Sequence, residues 1–187
     1  MSEDRRMTFW DLLDDVDRIE IPVIQRDYAQ GRKTKEITDI RVHFIESLKN
    51  ALLHDEAVDL NFIYGSMREG IFIPIDGQQR LTTLYLLHLY LLLVTGKDLS
   101  KRKFARIRRF PSRTRTSSND FCNSLTSRKI VVSGGGKLAE AESVSREIRN
   151  NPWFGTAWLN DPTISAMLNM LDTIHKAFRE EDLEGIL

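Results

Sequence analysis

Five consecutive residues, Asp76-Gly77-Gln78-Gln79-Arg80, sit where a β-rich run ends and the most apolar stretch of the chain begins. A helix that starts there presents unpaired backbone N–H groups and the positive end of its dipole, and a glycine beside it lets a ligand approach the backbone. That is the outline of an anion site. Arg80 adds a planar guanidinium suited to phosphate, and Gln78, Thr82 and Thr83 add neutral hydrogen-bonding groups. Asp76 only accepts hydrogen bonds and repels phosphate unless a cation intervenes, so Mg²⁺ or a polarised water would be its partner. The same residues also carry a structural alternative. Asp76 and Gln79 have the spacing of a capping box, Asp76 accepting from the third residue and Gln79 reaching back.

Two further groups invite a chemical reading. Gln25, Arg26 and Tyr28, with Gln30 and Arg32 beyond them, lie in a polar loop whose donors and ring could meet a nucleotide. The plain alternative is a solvated loop with one Arg–Asp pair. Lys101, Arg102, Lys103, Arg106, Arg108 and Arg109, continued by Arg113 and Arg115 and interleaved with Phe104 and Phe110, form a basic stretch that a DNA backbone would attract. It could equally be a solvated face, or pair with acidic residues elsewhere. The four histidines form no HxxxH or HExxH pattern, which argues against a zinc site. GxxxxGK[ST], GxGxxG and GxSxG are absent. Cys122 is the only cysteine, leaving a catalytic thiol as a weak option and no internal disulfide.

These residues need elements to position them. Met7 to Val16 has the spacing of a short amphipathic helix capped by Thr8, with Phe9, Leu12, Leu13 and Val16 on one face. Ile19 to Ile24 reads as an edge or irregular strand because of Pro22, Gln25 to Lys35 as a loop, and Ile37 to Leu53 as a core-facing helix. Leu60 to Tyr64 and Ile71 to Ile75 read as a hairpin linked by Gly65 to Gly70. A helix from about Gln79 to Thr95, ended by Gly96, follows. Beyond it, Ser112 to Asn119 reads as a loop, Phe121 to Leu125 as a helical turn, and Ser133 to Gly136 as a flexible break. Leu138 to Asn150 is helical in composition, and Asp161 with Pro162 opens a last helix. Trp10, Trp153, Phe154 and Trp158 read as packing anchors. The expected class is α+β: residues 1–98 as an α/β part bearing the box, and 99–187 as a basic segment and helical part packed on it as one domain.

Lys plus Arg and Asp plus Glu both number 27, so the formal net charge is zero. The balance conceals segregation. Leu99 to Lys137 holds eleven basic residues and one acid, Asp120, so the remainder is correspondingly acidic. Zero net charge therefore does not exclude a nucleic-acid partner. The stretch from Leu81 to Val94 is too short for a membrane span, and the charged N-terminus lacks a secretory signal. A cytoplasmic protein without membrane attachment is expected.

Asp76 to Leu84 (DGQQRLTTL), together with IPVIQRDYAQGR from Ile21 and FIYGSM from Phe62, resembles the N-terminal domain of the GmrSD-type restriction proteins. RTRTSSNDFCNSL from Arg113 and the tract from Trp153 to His175 are similar to the family as well. The resemblance implies a small mixed sheet like that of the ParB and sulfiredoxin fold, followed by a helical part. It also implies binding and hydrolysis of a nucleoside triphosphate at the DGQQR box, where Asp76 would call for Mg²⁺, coupled to restriction of DNA, modified phage DNA included. Asp76, Gly77, Gln78, Gln79 and Arg80 are that box, and Gln25, Arg26 and Tyr28 lie in the family's first motif. Cutting in this family belongs to an HNH-type nuclease domain, whose histidine setting is not found here. The chain is therefore expected not to cleave DNA itself, as a shortened chain or a stand-alone sensor subunit working with an HNH nuclease. A homodimer is compatible with this.

Overall fold

The computed structural model describes residues 6–22, 28, 35–110, 116–183 and 185–186. Thr8 opens α1 (Phe9–Asp15): its Oγ1 accepts from the Asp11 N–H at 3.1 Å, and Asp11 Oδ2 accepts from the Thr8 N–H at 2.9 Å. The helix buries Phe9 and Leu13, and Val16 follows them into the core. β1 (Arg18–Ile19) is shorter than the expected strand to Ile24, whose end lies outside the described residues. α2 (Lys35–His54) matches the expected core-facing helix and buries Ile45, Leu48 and Ala51.

The hairpin is present, in a different register. Its strands are β2 (Gly65–Arg68) and β3 (Ile71–Pro74), so most of the expected link is strand and Leu60 to Tyr64 lies outside the sheet. The turn is Glu69-Gly70, both at positive φ (49° and 76°), as a two-residue turn of the primed type requires. Gly65 is in the strand because the chains crowd there: a Cβ would fall 2.2 Å from the Ile73 carbonyl oxygen. The sheet order is β1-β3-β2, with β1 parallel to β3 and β2 antiparallel to it. A parallel β1–β3 pair needs a crossover, which α2 supplies.

β3 delivers the chain into α3 (Gln78–Val94), which is apolar on nearly all sides, as a central helix must be. Leu81, Tyr85, Leu86, Leu89, Tyr90 and Leu92 are fully buried. Gly96, at φ 63°, ends it with a Schellman pair: the Gly96 N–H donates to Leu93 O at 3.3 Å and the Lys97 N–H to Leu92 O at 3.0 Å. Beside α3 lies α7 (Pro162–Phe178), where Asp161 Oδ1 accepts from the N–H groups of Thr163 at 2.9 Å and Ile164 at 3.1 Å, as expected. Between them come α4 (Arg102–Ala105), a 3-10 turn at Arg106–Arg109, α5 (Thr116–Ser127) and α6 (Val144–Asn150). α5 corrects the sequence expectation twice, extending the anticipated turn to twelve residues and claiming 116–119 from the anticipated loop. Its buried face of Ser118, Phe121, Cys122 and Leu125 has helical spacing that its serines and threonines disguise. Ser133–Gly135 forms a 3-10 turn in place of an open break.

The fold is mixed α+β, as expected, with seven α-helices and a three-stranded sheet among the described residues. One hydrophobic cluster runs from Phe9 on α1 to Phe178 on α7. No helix among the described residues is long and apolar enough to cross a membrane.

Candidate functional site

The box lies at the head of α3, two residues after β3. Ile75 and Asp76 both donate their backbone N–H to Tyr64 O, at 2.8 and 3.1 Å, which continues the hairpin pairing up to the box. Gly77 then takes a left-handed conformation (φ 85°, ψ 4°) and is the N-cap residue of α3. Glycine is needed there twice over: for the positive φ, and because a Cβ would lie 2.7 Å from Ile63 Cγ1.

This register removes the capping-box alternative. With Gly77 as N-cap, Asp76 stands one residue too early and Gln79 occupies the second helical position. Gly77 has no side chain with which to cap the helix. The Asp76 carboxylate instead accepts from Arg80 Nη2 at 3.1 Å, one turn on, and stays largely exposed. The first turn of α3 carries the N–H groups that every α-helix leaves without intrahelical acceptors.

Arg80 is tied down more than the sequence suggests. Nη1 donates to Leu60 O, and Nη2 donates to Phe62 O at 3.0 Å as well as to Asp76. These two carbonyls flank Asn61, whose φ of 62° is unusual outside glycine. Three of the five guanidinium N–H groups are thus engaged within the protein, leaving two for any ligand.

Thr82 and Thr83 are buried, and each donates its hydroxyl to the carbonyl four residues back, Gln78 at 2.9 Å and Gln79 at 3.0 Å. Tyr28 is buried as well, its hydroxyl 2.8 Å from Thr83 Oγ1, and burial pushes its phenol well above the usual range. These three expected ligand-binding residues lie beneath the head of the helix, with their hydroxyls directed into the protein. Gln78 and Gln79 are half-buried in the first turn, while Gln25 and Arg26 lie outside the described residues.

A family model for the GmrSD restriction endonuclease, N-terminal domain, matches residues 9–180. The chain belongs to this family. No curated protein and no solved structure matches it. The match runs from the start of α1 to beyond the end of α7 and includes the box, so this is a domain of a DNA-restriction system.

In this GmrSD-type domain the basic stretch separates into two sets. Arg106 pairs with Asp14, and its guanidinium lies over the Trp10 ring at 4.7 Å. Arg109 Nη1 donates to Leu13 O at 2.6 Å and Val16 O at 3.0 Å, satisfying carbonyls that the C-terminus of α1 leaves open. Arg108 reaches the Thr126 carbonyl at 3.0 Å. Lys101, Arg102 and Lys103 are exposed. Phe104 and Phe110 are buried, Phe110 stacking on Tyr85 at 4.6 Å, so neither ring is open to a base.

Other expectations resolve simply. Cys122 is buried with its thiol pushed up to about 12 by burial, unlike a catalytic thiolate. His175 bridges Tyr90 and the Ala141 carbonyl inside the core, and no group of three potential metal ligands occurs among the described residues. Phe121, Phe154 and Trp158 form an edge-to-face cluster. Sequence reasoning missed Arg41, which is buried on α2, where burial lowers its pKa. Its signal was present: Arg41, Ile45, Leu48 and Leu52 share one helical face.

Proposed function

We propose that this GmrSD-type domain binds a nucleoside triphosphate with Mg²⁺ at the head of α3 and conveys nucleotide state to a nuclease that restricts DNA. The observation that carries the reading is the start of α3 on a left-handed Gly77, directly after a strand and flanked by the Asp76–Arg80 pair. The donor set fits the group: backbone N–H donors suit phosphate, and one exposed carboxylate suits a cation that phosphate oxygens also hold. Bound Mg²⁺ would neutralise phosphate charge and polarise the attacked phosphorus.

In this proposal the N–H groups of Gly77, Gln78 and Gln79, the two glutamine side chains and the remaining N–H groups of Arg80 hold the phosphates. Asp76 holds Mg²⁺ or orients the attacking water, with Arg80 fixing its carboxylate. Gln25 and Arg26 are assigned to nucleotide binding as members of the family's first motif, while Tyr28, Thr82 and Thr83 support the helix from below. The exposed Lys101, Arg102 and Lys103, with Arg108 beside them, would meet the DNA backbone. An HNH-type nuclease domain or subunit would do the cutting, in the cytoplasm where phage DNA arrives.

Calorimetry with ATP, GTP, CTP and UTP plus Mg²⁺ tests this on wild type and Asp76→Asn. Mg²⁺-dependent binding that Asp76→Asn abolishes supports it. No binding by wild type, or equal binding by the folded variant, sinks it. The bonds from Arg80 to Leu60 O and Phe62 O favour a second reading, in which the box is a brace between the 60–64 segment and α3 within a non-catalytic DNA-binding or protein-interaction module. Under that reading Arg80→Ala lowers stability and there is no nucleotide binding to lose.

A further inference from the structure

We infer that Phe62, assisted by Tyr64, is the stacking face for the nucleobase of the triphosphate, an inference that rests on the function proposed above. Phe62 is 74% exposed and Tyr64 58%, while their neighbours Leu60 and Ile63 pack onto the core. One exposed apolar residue needs no explanation. Here two aromatic residues are presented on a backbone that is held firmly. The Phe62 carbonyl accepts from Arg80 at 3.0 Å, the Tyr64 carbonyl accepts from the Asp76 N–H at 3.1 Å, and Ile63 between them fills the space against Gly77. The chain enters this segment through Asn61 at φ 62°, whose N–H is bound by Asp59 Oδ1 at 2.9 Å.

Each ring-bearing residue is therefore one hydrogen bond from a member of the box. The rings themselves have no place in the core. A nucleotide needs two unlike subsites, polar donors for its phosphates and a flat apolar face for its base, and the box with the 60–64 segment provides both side by side. Stacking on an aromatic ring accepts every base, so the contribution should be similar for ATP and UTP.

Calorimetry on the full chain with Mg²⁺ compares ATP, UTP and inorganic triphosphate. Both nucleotides are expected to bind at least about tenfold more tightly than triphosphate. Phe62→Ala should erase that margin while leaving triphosphate affinity and melting temperature unchanged, Phe62→Trp should keep it, and Tyr64→Ala should reduce it. Equal affinity of wild type for nucleotide and triphosphate, or a margin that survives Phe62→Ala, overturns the stacking assignment and leaves the phosphate site standing. A Phe62→Ala chain that keeps the nucleotide margin but loses binding to single-stranded DNA or to the nuclease partner reassigns the rings to that contact. If wild type binds none of the three ligands, the phosphate site itself is wrong and this inference falls with it.

Discussion

The hydroxyl of Tyr28 donates to Thr83 Oγ1 across 2.8 Å inside the core, joining residues 55 positions apart in sequence. The direction follows from the helix: the single Thr83 hydroxyl proton is already given to Gln79 O at 3.0 Å, so Tyr28 must be the donor. Tyr28→Phe removes one buried hydrogen bond and should cost about 1 kcal/mol, a fall in melting temperature of about 2–4 °C for a chain of this size. Thr83→Val should cost more, because it leaves the Tyr28 hydroxyl buried without its acceptor. The double variant should recover part of that loss. Additive losses in thermal melts would show that the two hydroxyls do not act as a pair.

Asp76 and Arg80 should separate under mutation. Arg80→Lys leaves one point-like ammonium where a planar group reached Leu60 O, Phe62 O and Asp76, so the 60–64 segment should loosen at a cost of about 1–3 kcal/mol. Asp76→Asn keeps an acceptor for Arg80 in a pair that is largely exposed, so stability should change by less than about 1 kcal/mol. Denaturant melts of the two variants check this. Equal destabilisation would mean that Asp76 carries more of the structure than its exposure suggests.

What the sequence made legible is what local chemistry determines. Thr8 and Asp161-Pro162 cap their helices, and Gly96 ends α3, because each acts within a few residues of itself. The box was legible as a strand-to-helix junction for the same reason. Its hydrogen bonding was not. Whether Asp76 or Gly77 became the N-cap depended on Ile63 packing against the glycine, and the partners of Arg80 were carbonyls about twenty residues earlier. The hairpin slipped by several residues because Gly65 looks like a turn residue until the Ile73 carbonyl crowds it. In the basic stretch, only tertiary packing on α1 distinguished Arg106 and Arg109 from the exposed cations beside them.

His88 should give the domain a stability loss on mild acidification. Its ring lies 4.8 Å from Phe9 and 5.2 Å from Trp10, and Nδ1 bonds to Leu84 O at 2.7 Å. Burial lowers its pKa from 6.5 to about 4. Between those values the unfolded chain binds a proton that the folded chain refuses, so stability is full above pH 6.5 and falls toward pH 4. His88 is half-buried, which limits the loss to about 2 kcal/mol. Denaturant melts from pH 7 to pH 4 should show that slope in wild type and a flatter one in His88→Gln. An identical slope in both would assign the loss to other groups.

The two sets of basic residues should answer differently to salt and to heat. Arg109 closes the end of α1 through the carbonyls of Leu13 and Val16, so Arg109→Ala should lower stability by about 1–2 kcal/mol and affect DNA binding only through that loss. Lys101, Arg102 and Lys103 are exposed at the start of a helix of four residues, Lys101 as its N-cap, and replacing all three with alanine should leave the melting temperature nearly unchanged. If they contact backbone phosphates, the triple variant should bind duplex DNA more weakly, and its log–log dependence on salt should become shallower by up to about 3, close to one unit per lost phosphate contact. Fluorescence anisotropy with a labelled duplex at several salt concentrations measures both quantities. A triple variant with wild-type affinity and slope would remove this segment from the DNA surface, and a wild type whose binding does not weaken with salt would remove the backbone-phosphate mode altogether.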